Sequence, residues 1–309
     1  MVTENSIRQQ LLAELAGQGY QGRIVSVHRV QDLAQELETH RREGQFDDAF
    51  DQERLNWFHY SSPETLPDAQ SLIIVAVPRP QTQAVFTWRG QALPLIIPPT
   101  YTGYNRIVQQ VTALLTSILE PAGYRLAESA LPLKLLAVRS GLGVYGRNNI
   151  CYVPGMGSFV ELVGLYSNLP CADDGWREAR MMAACQNCVA CMRHCPTGAI
   201  SSERFLLHAE RCLVFHNERA GDIPFPGWID PAWHNCLEGC MHCQWICPEN
   251  KRFRDWVEDS EEFSEEETAL ILQGEPQERL SAETSGKLAR LDLLGDLNIL
   301  PRNLGIFLS

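Results

Sequence analysis

No apolar run in this 309-residue chain is long enough to cross a bilayer. The longest stretches, such as residues 72–77, fall far short of the roughly 20 residues that a spanning helix needs. The opening MVTENS has neither the positive charge nor the apolar core of a secretory signal, and a twin-arginine export signal is missing too, so a cytoplasmic location is expected. Basic residues are scarce: 26 Lys+Arg stand against 38 Asp+Glu, a net charge of −12. That excess argues against broad, non-specific binding to nucleic acid, which draws its affinity from neutralising phosphates. It is compatible with a local basic pocket and with a basic partner. The 8 histidines form no HExxH or other paired-ligand motif. Gly-x-Ser-x-Gly and the Walker loop are also absent, so zincin, esterase and P-loop chemistry have no sequence support.

Cysteine is what the chain does have, with 11 residues. Cys185, Cys188, Cys191 and Cys195 followed by Pro196 give Cys-x2-Cys-x2-Cys-x3-Cys-Pro. This is the spacing of two-cluster iron–sulfur proteins, whose fourth cysteine ligates the other cluster. Three thiolates on one tight loop can hold three corners of a cube, and the fourth ligand must come from elsewhere. The second run keeps the spacing at Cys240, Cys243, Cys247 and Pro248, but the template's first cysteine falls at Leu237, and Cys236 is out of register by one. The isolated Cys212 is therefore the expected replacement. The assignment is Cys185, Cys188, Cys191 and Cys247 for one [4Fe-4S] cluster and Cys195, Cys212, Cys240 and Cys243 for the other, with Cys236 spare. Zinc sites favour two separated Cys-x2-Cys pairs, and disulfide scaffolds are small and secreted. Neither fits this pattern. His194 and His242 lie inside the runs and are expected to tune the clusters through hydrogen bonds at most. Trp228, Trp233 and Trp245 are expected to shield the second run from water. Cys151 and Cys171 are expected to be buried thiols, with Cys151 close enough to the glycine loop to face a ligand.

Upstream, hydrophobic periodicity predicts helices over 5–17, from Asp32 to about Glu43, and over 105–120. It also predicts a strand over 22–30 and a central strand at SLIIVAVP, buried on both faces. A hairpin is expected around Arg89-Gly90. The segment FDDAFDQERLNWFHY reads as a helix or a packed loop. Alternating strands and helices make residues 1–170 one α/β or α+β domain. Residues 255–283 are strongly acidic and are expected to form a solvated helix and linker, a poor surface for RNA. The apolar segment from Leu288 is expected to pack back as a helix.

Gly141, Gly143 and Gly146 spell G-x-G-x-x-G within AVRSGLGVYGRNN. A dinucleotide fingerprint needs a strand before these glycines and a helix after them. Here KLLAVRS before them looks helical and NNICYV after them looks like a strand, so that reading is set aside, and Glu161 at a loose spacing does not revive it. Such a loop could still let a large flat ligand approach the backbone. A tight turn in a packed core accounts for the glycines equally simply.

AVRSGLGVYGRNN, GMGSFVELVGLYSNL, CQNCVACMRHCPTGAI, RCLVFHNE and GCMHCQWICPEN, in that order, resemble the epoxyqueuosine reductases and, more remotely, the reductive dehalogenases. KLARLDLLGDLNILPRNLGIFL resembles the segment that follows the cluster domain in that family. The likeness is good from about Leu133 onward and weak before it. It implies an α+β protein: a cobalamin-binding domain over 1–170, a ferredoxin-like domain with two [4Fe-4S] clusters over 171–252, and an acidic linker with a helical C-terminal segment over 253–309. Gly141, Gly143, Gly146, Arg147, Asn148 and Ser158 then fall in loops lining the corrinoid, and the eight assigned cysteines coincide with the family's ligand pattern. The implied function is an iron–sulfur reductase in which single electrons pass through the clusters to cobalamin, which acts on epoxyqueuosine in tRNA or a related compound. The electron donor would be of flavodoxin or ferredoxin type.

Three departures bear on this. The family's Asp-Ser/Thr-Gly/Ala-Pro stretch, which carries the proposed proton donor, has AESALPLK as its nearest text, making Glu128 the candidate acid and Tyr104 a second. IIPPTYTGYNR stands where the family has a basic-aromatic stretch. The helical repeats that help embrace tRNA in that family are not among these residues. The alternative from another class is a ferredoxin-type electron-transfer protein without a corrinoid, although a ferredoxin needs no such long N-terminal domain.

Overall fold

The computed structural model describes residues 4–172 and 174–308. They form two compact units, one of residues 1–78 and 105–188, the other of residues 79–104 and 189–309. Nine strands occur in chain order among the described residues: β1 (Gln21–Ser26), β2 (Ser71–Pro78), β3 (Gln81–Trp88), β4 (Gln91–Ile97), β5 (Leu126–Glu128), β6 (Val144–Tyr145), β7 (Cys151–Tyr152), β8 (Val160–Ser167) and β9 (Val257–Phe263).

The first unit is built on an antiparallel sheet of order β1-β2-β8-β5. Its two inner strands are buried almost end to end, because helices cover both faces. Ile73, Val75 and Val77 meet the helices Glu4–Gly17 and Tyr104–Leu119 through Leu11, Leu15, Val111 and Leu115. Leu72, Ile74 and Ala76 point the other way, toward Val30, Leu33 and Leu37 of Arg29–Arg42 and toward the helix Leu133–Arg139. The two-residue alternation of a strand thus divides one continuous apolar run between two cores. The expected helices and central strand are all present, and the FDDAFDQERLNWFHY segment resolves into a short helical stretch, Asp48–Phe50 followed by Asp51–Leu55.

The second unit contains a sheet of order β4-β3-β9. β3 and β4 form the expected hairpin, with φ of 50° at Arg89 and 73° at Gly90. Positive φ at both turn residues is what a two-residue loop matching the twist of the strands demands. β9 pairs in parallel with β3, which corrects the expectation of a solvated linker there, whereas the expected helix is present as Glu265–Leu272, with Thr268 and Ile271 buried. Acidic residues can occupy an edge strand when their side chains stay in water, and in β9 only Phe263 is buried. That ring stacks on Phe86 with centroids 4.7 Å apart and joins Leu288, Leu291, Leu300 and Leu304 in the core. The apolar C-terminal segment does pack back, as the helices Ala282–Arg290 and Leu300–Leu308. The hairpin of residues 79–104 is grouped with this unit. The linear boundaries 1–170, 171–252 and 253–309 made no provision for such an excursion.

Phe263→Ala should cost about 3–5 kcal/mol, the usual penalty for emptying a buried aromatic site, whereas Glu258→Gln on the exposed part of β9 should stay within about 0.5 kcal/mol. Urea unfolding of the two variants separates a strand anchored by its last residue from a solvated linker, for which both changes would be neutral.

Candidate iron–sulfur site

The helix Leu133–Arg139 delivers the glycine loop, and the order helix, glycines, strand is as expected. The structure supplies an internal reason for each glycine. Gly141 sits at φ +79°, where side chains are strained. A Cβ on Gly143 would stand 2.6 Å from Cys151 Sγ and 2.9 Å from the Tyr152 carbonyl oxygen. One on Gly146 would meet Asn148 Oδ1 and the Tyr152 ring at 2.5 Å. The loop's amides are also in use: Gly141 N–H donates to Val138, Gly143 to Ala137 and Gly146 to Ile150. No row of open N–H groups is left to cradle a phosphate, so the dinucleotide reading fails on geometry as well as on order.

The polar side chains of the loop are in use as well. Asn148 is buried and donates from Nδ2 to the Tyr152 hydroxyl at 3.1 Å, and Ser158 is buried as well. Arg147 turns to the cysteine loop, its Nη2 donating to the Cys185 carbonyl at 2.7 Å and its Nε to the Cys188 carbonyl at 3.2 Å. The Arg147 and Asn148 side chains are therefore engaged with the protein itself.

The glycine loop also supports the first cysteine run. Arg177 N–H bonds the Arg139 carbonyl at 2.9 Å, and its Nη2 reaches the Gly143 carbonyl at 3.1 Å. Tyr145 N–H donates to Arg180 O at 3.0 Å and Met182 N–H to Tyr145 O at 2.7 Å. Residues 177–182 are thus strapped along the loop before the chain turns through Ala183–Cys185. Sequence reasoning missed this strap, because REARMM has neither period nor motif, and main-chain pairing leaves no signature in side-chain identity.

Of the first expected ligand set, Cys185 and Cys188 close the first unit, and Cys191 and Cys247 belong to the second. In the second unit Cys195 follows the short helix Ala190–His194, and Cys212 caps the start of Leu213–Asn217. Burial pushes the Cys212 thiol up to about 11, with nearby Cys195 and Glu218 adding to the effect against the Val214 amide. The Cys240 thiol is held well above its ordinary range by burial and then by Cys212, with Cys236 and Cys195 adding to it. Cys195, Cys212 and Cys240, far apart in sequence, thus lie close enough to repel as thiolates. Such a group is poorly stable as anions and gains most from a cationic iron centre. The spare Cys236 is buried, and burial raises its thiol too.

His194 and His242 lie edge to face with centroids 5.5 Å apart, and the His242 Nε2 lies 2.9 Å from the Trp233 carbonyl oxygen. Trp245 donates to Gln81 Oε1 of β3 at 2.5 Å. Trp228 stands edge-on to His216 and is 47% exposed, so it covers less than expected. Cys151 and Cys171 are buried; Cys151 faces Gly143, and Cys171 Sγ accepts from Arg8 at 3.2 Å. Glu128 ends β5 with its side chain exposed. Tyr104 is 41% exposed, its N–H donating to Asp292 Oδ2 at 3.0 Å.

A family model described as a 4Fe-4S double cluster binding domain matches residues 184–250, which include all eight assigned cysteines. Among curated proteins, the epoxyqueuosine reductase of Synechococcus sp. (strain CC9605) is 34% identical over 155 residues, covering 48% of this chain and 47% of that protein. The epoxyqueuosine reductase of Escherichia coli (strain K12) is 38% identical over 117 residues, 38% of this chain and 29% of that protein. The aligned part thus spans about half of the first relative and less than a third of the second. Among solved structures, the epoxyqueuosine reductase from Streptococcus thermophilus superposes with a TM-score of 0.66 at 20% identity, covering 97% of this chain and 80% of that one. An epoxyqueuosine reductase solved with an epoxyqueuosine-modified tRNA stem loop gives 0.69 at 19%, covering 98% and 81%. At such identities the structures establish the fold. Taken with the cysteine pattern, they define an α+β protein carrying a double iron–sulfur cluster domain. Over part of its sequence the chain is thus similar to the epoxyqueuosine reductases, and it shares their fold.

Arg147→Ala should cost about 1–3 kcal/mol, since it removes a charged donor from the Cys185, Gln186 and Cys188 carbonyls. If Cys185 and Cys188 are cluster ligands, it should also loosen iron; urea unfolding and iron retention under chelation read the two effects.

Proposed function

We propose that this chain is an iron–sulfur reductase that delivers electrons singly through two [4Fe-4S] clusters to a substrate of the epoxyqueuosine type carried on tRNA. Cys185, Cys188, Cys191 and Cys247 hold one cluster; Cys195, Cys212, Cys240 and Cys243 hold the other. The observation that carries the reading is the spacing of the eight cysteines, the second run completed by Cys212, within a segment that matches a double-cluster domain. The names of the relatives supply the substrate class. Removing an epoxide oxygen as water consumes two electrons and two protons, so the clusters must be refilled by an external donor of flavodoxin or ferredoxin type. Glu128, an exposed acid at the end of β5, is assigned as the proton donor, with Tyr104 as the second candidate. A cobalamin as the reacting centre is the finer part of this reading and rests on the sequence resemblance alone; when bound it would supply a low-potential cobalt for attack on the substrate.

Anaerobic reconstitution should yield about eight irons per chain. Cys212→Ala should lose one cluster and Cys236→Ala neither; a Cys212→Ala protein that keeps its full iron contradicts the ligand assignment. Cobalamin added to the reconstituted protein should change its spectrum, and the absence of binding would favour an electron-transfer protein. With epoxyqueuosine-containing tRNA, Glu128→Gln should slow turnover about a hundredfold or more while leaving both clusters intact, the scale expected for a lost general acid.

A further inference from the structure

Asn217 is 1% exposed and closes the short helix that begins directly after Cys212. Its Nδ2 donates to the Gly239 carbonyl at 2.6 Å, and its Oδ1 accepts from the Gly239 N–H at 3.2 Å. One side chain here makes the reciprocal pair that two strands ordinarily make, and Gly239 immediately precedes Cys240. The Asn217 carbonyl in turn accepts from Arg302 Nη2 and Asn303 Nδ2, each at 2.9 Å. Asn303 Nδ2 also reaches the Leu237 carbonyl at 3.1 Å, and Leu237 N–H bonds the Ile96 carbonyl at 3.0 Å. Gly239 is at φ +68°, and a Cβ there would stand 2.9 Å from Pro98 and the Tyr101 ring. A single buried polar network therefore fixes the loop before Cys240 against the helix behind Cys212.

We propose that Asn217 is a positioning residue for the cluster of Cys195, Cys212, Cys240 and Cys243, setting the separation of the Cys212 and Cys240 thiolates. The inference rests on the ligand assignment above. Only a carboxamide presents a donor and an acceptor in one plane to both main-chain groups of Gly239. An alanine leaves both groups buried without that partner, and the loop must move to satisfy them. Cluster potentials respond to the hydrogen bonding and solvent access that such a movement changes.

The test compares the full chain, Asn217→Ala, Asn217→Asp and Arg302→Ala after anaerobic reconstitution, by iron content, EPR of the reduced clusters and both midpoint potentials. Asn217→Asp keeps the acceptor for Gly239 N–H but sets a carboxylate against its carbonyl. All three variants should change the EPR signature and potential of one and the same cluster, or release its iron about tenfold faster to a chelator, with the other cluster unmoved. The proposal is overturned if both clusters keep their wild-type signatures, or if both change together as general loosening of the fold would produce. Should Asn217→Ala fail to fold by circular dichroism, the comparison is made on Asn217→Asp and Arg302→Ala, and failure of all three to fold counts against a selective role. A wild-type chain that takes up fewer than two clusters refutes the ligand assignment itself, an outcome seen before any variant is made.

Discussion

Main-chain carbonyls that lie outside helices and strands must still find donors once they are buried, and the cysteine-bearing segments of this chain are rich in such carbonyls. Arginine and asparagine supply the donors. Arg147 serves Cys185 and Cys188. Arg302 serves Asn217, Arg219, Ala220 and Ile223, the last at 2.7 Å, and stacks over Phe225. The planar guanidinium suits this task because its several donors are fixed in one fork, so that one side chain can tie several turns together at little further entropic cost. Segments that gather three thiolates around one centre hold only short regular turns, here Ala190–His194 with Cys191 and His242–Trp245 with Cys243. Their rigidity must come from side chains that reach in from elsewhere.

Much of the framework was legible because it follows from periodicity. The run at residues 72–77 could only be a strand covered on both sides, and the helices that cover it announce themselves by spacing and by glycine stops. The iron–sulfur pattern was legible for a different reason: ligand spacing is a covalent constraint and survives any fold. β9 was not legible, because this edge strand buries only its last residue, Phe263, and five of its seven residues are polar. The grouping of residues 79–104 with the second unit depends on the pairing of β3 with β9, some 170 residues later, a contact with no local trace.

The glycine motif shows how one pattern serves different physics. Three small residues at G-x-G-x-x-G spacing suit a backbone approached closely, and sequence does not say by what. Here the approaching groups are Cys151, Tyr152 and Asn148 of the same chain. The two readings part at the amides. A ligand loop leaves its N–H groups open, whereas this loop closes them on Val138, Ala137 and Ile150. Its rigidity then passes through Arg177 and Tyr145 into the strap that leads to Cys185. The residues that invite a cofactor reading also support the first cysteine run.

The thiols add an electrostatic argument. Burial and mutual proximity hold Cys212 and Cys240 in their neutral forms, yet iron binds the thiolate, so assembly must release protons and is favoured as pH rises. Without iron the second unit buries neutral thiols; with iron it buries anions matched by a cationic core. Free energy of metal binding is then available to stabilise the segments around Cys195, Cys212 and Cys240, whose helices are only four or five residues long and would be marginal by themselves. The polar network around Asn217 and Arg302 holds the loop before Cys240 and the helix after Cys212. In the proposed ligand assignment, iron–thiolate bonds would add to that network by holding the same loops against the repulsion that burial magnifies.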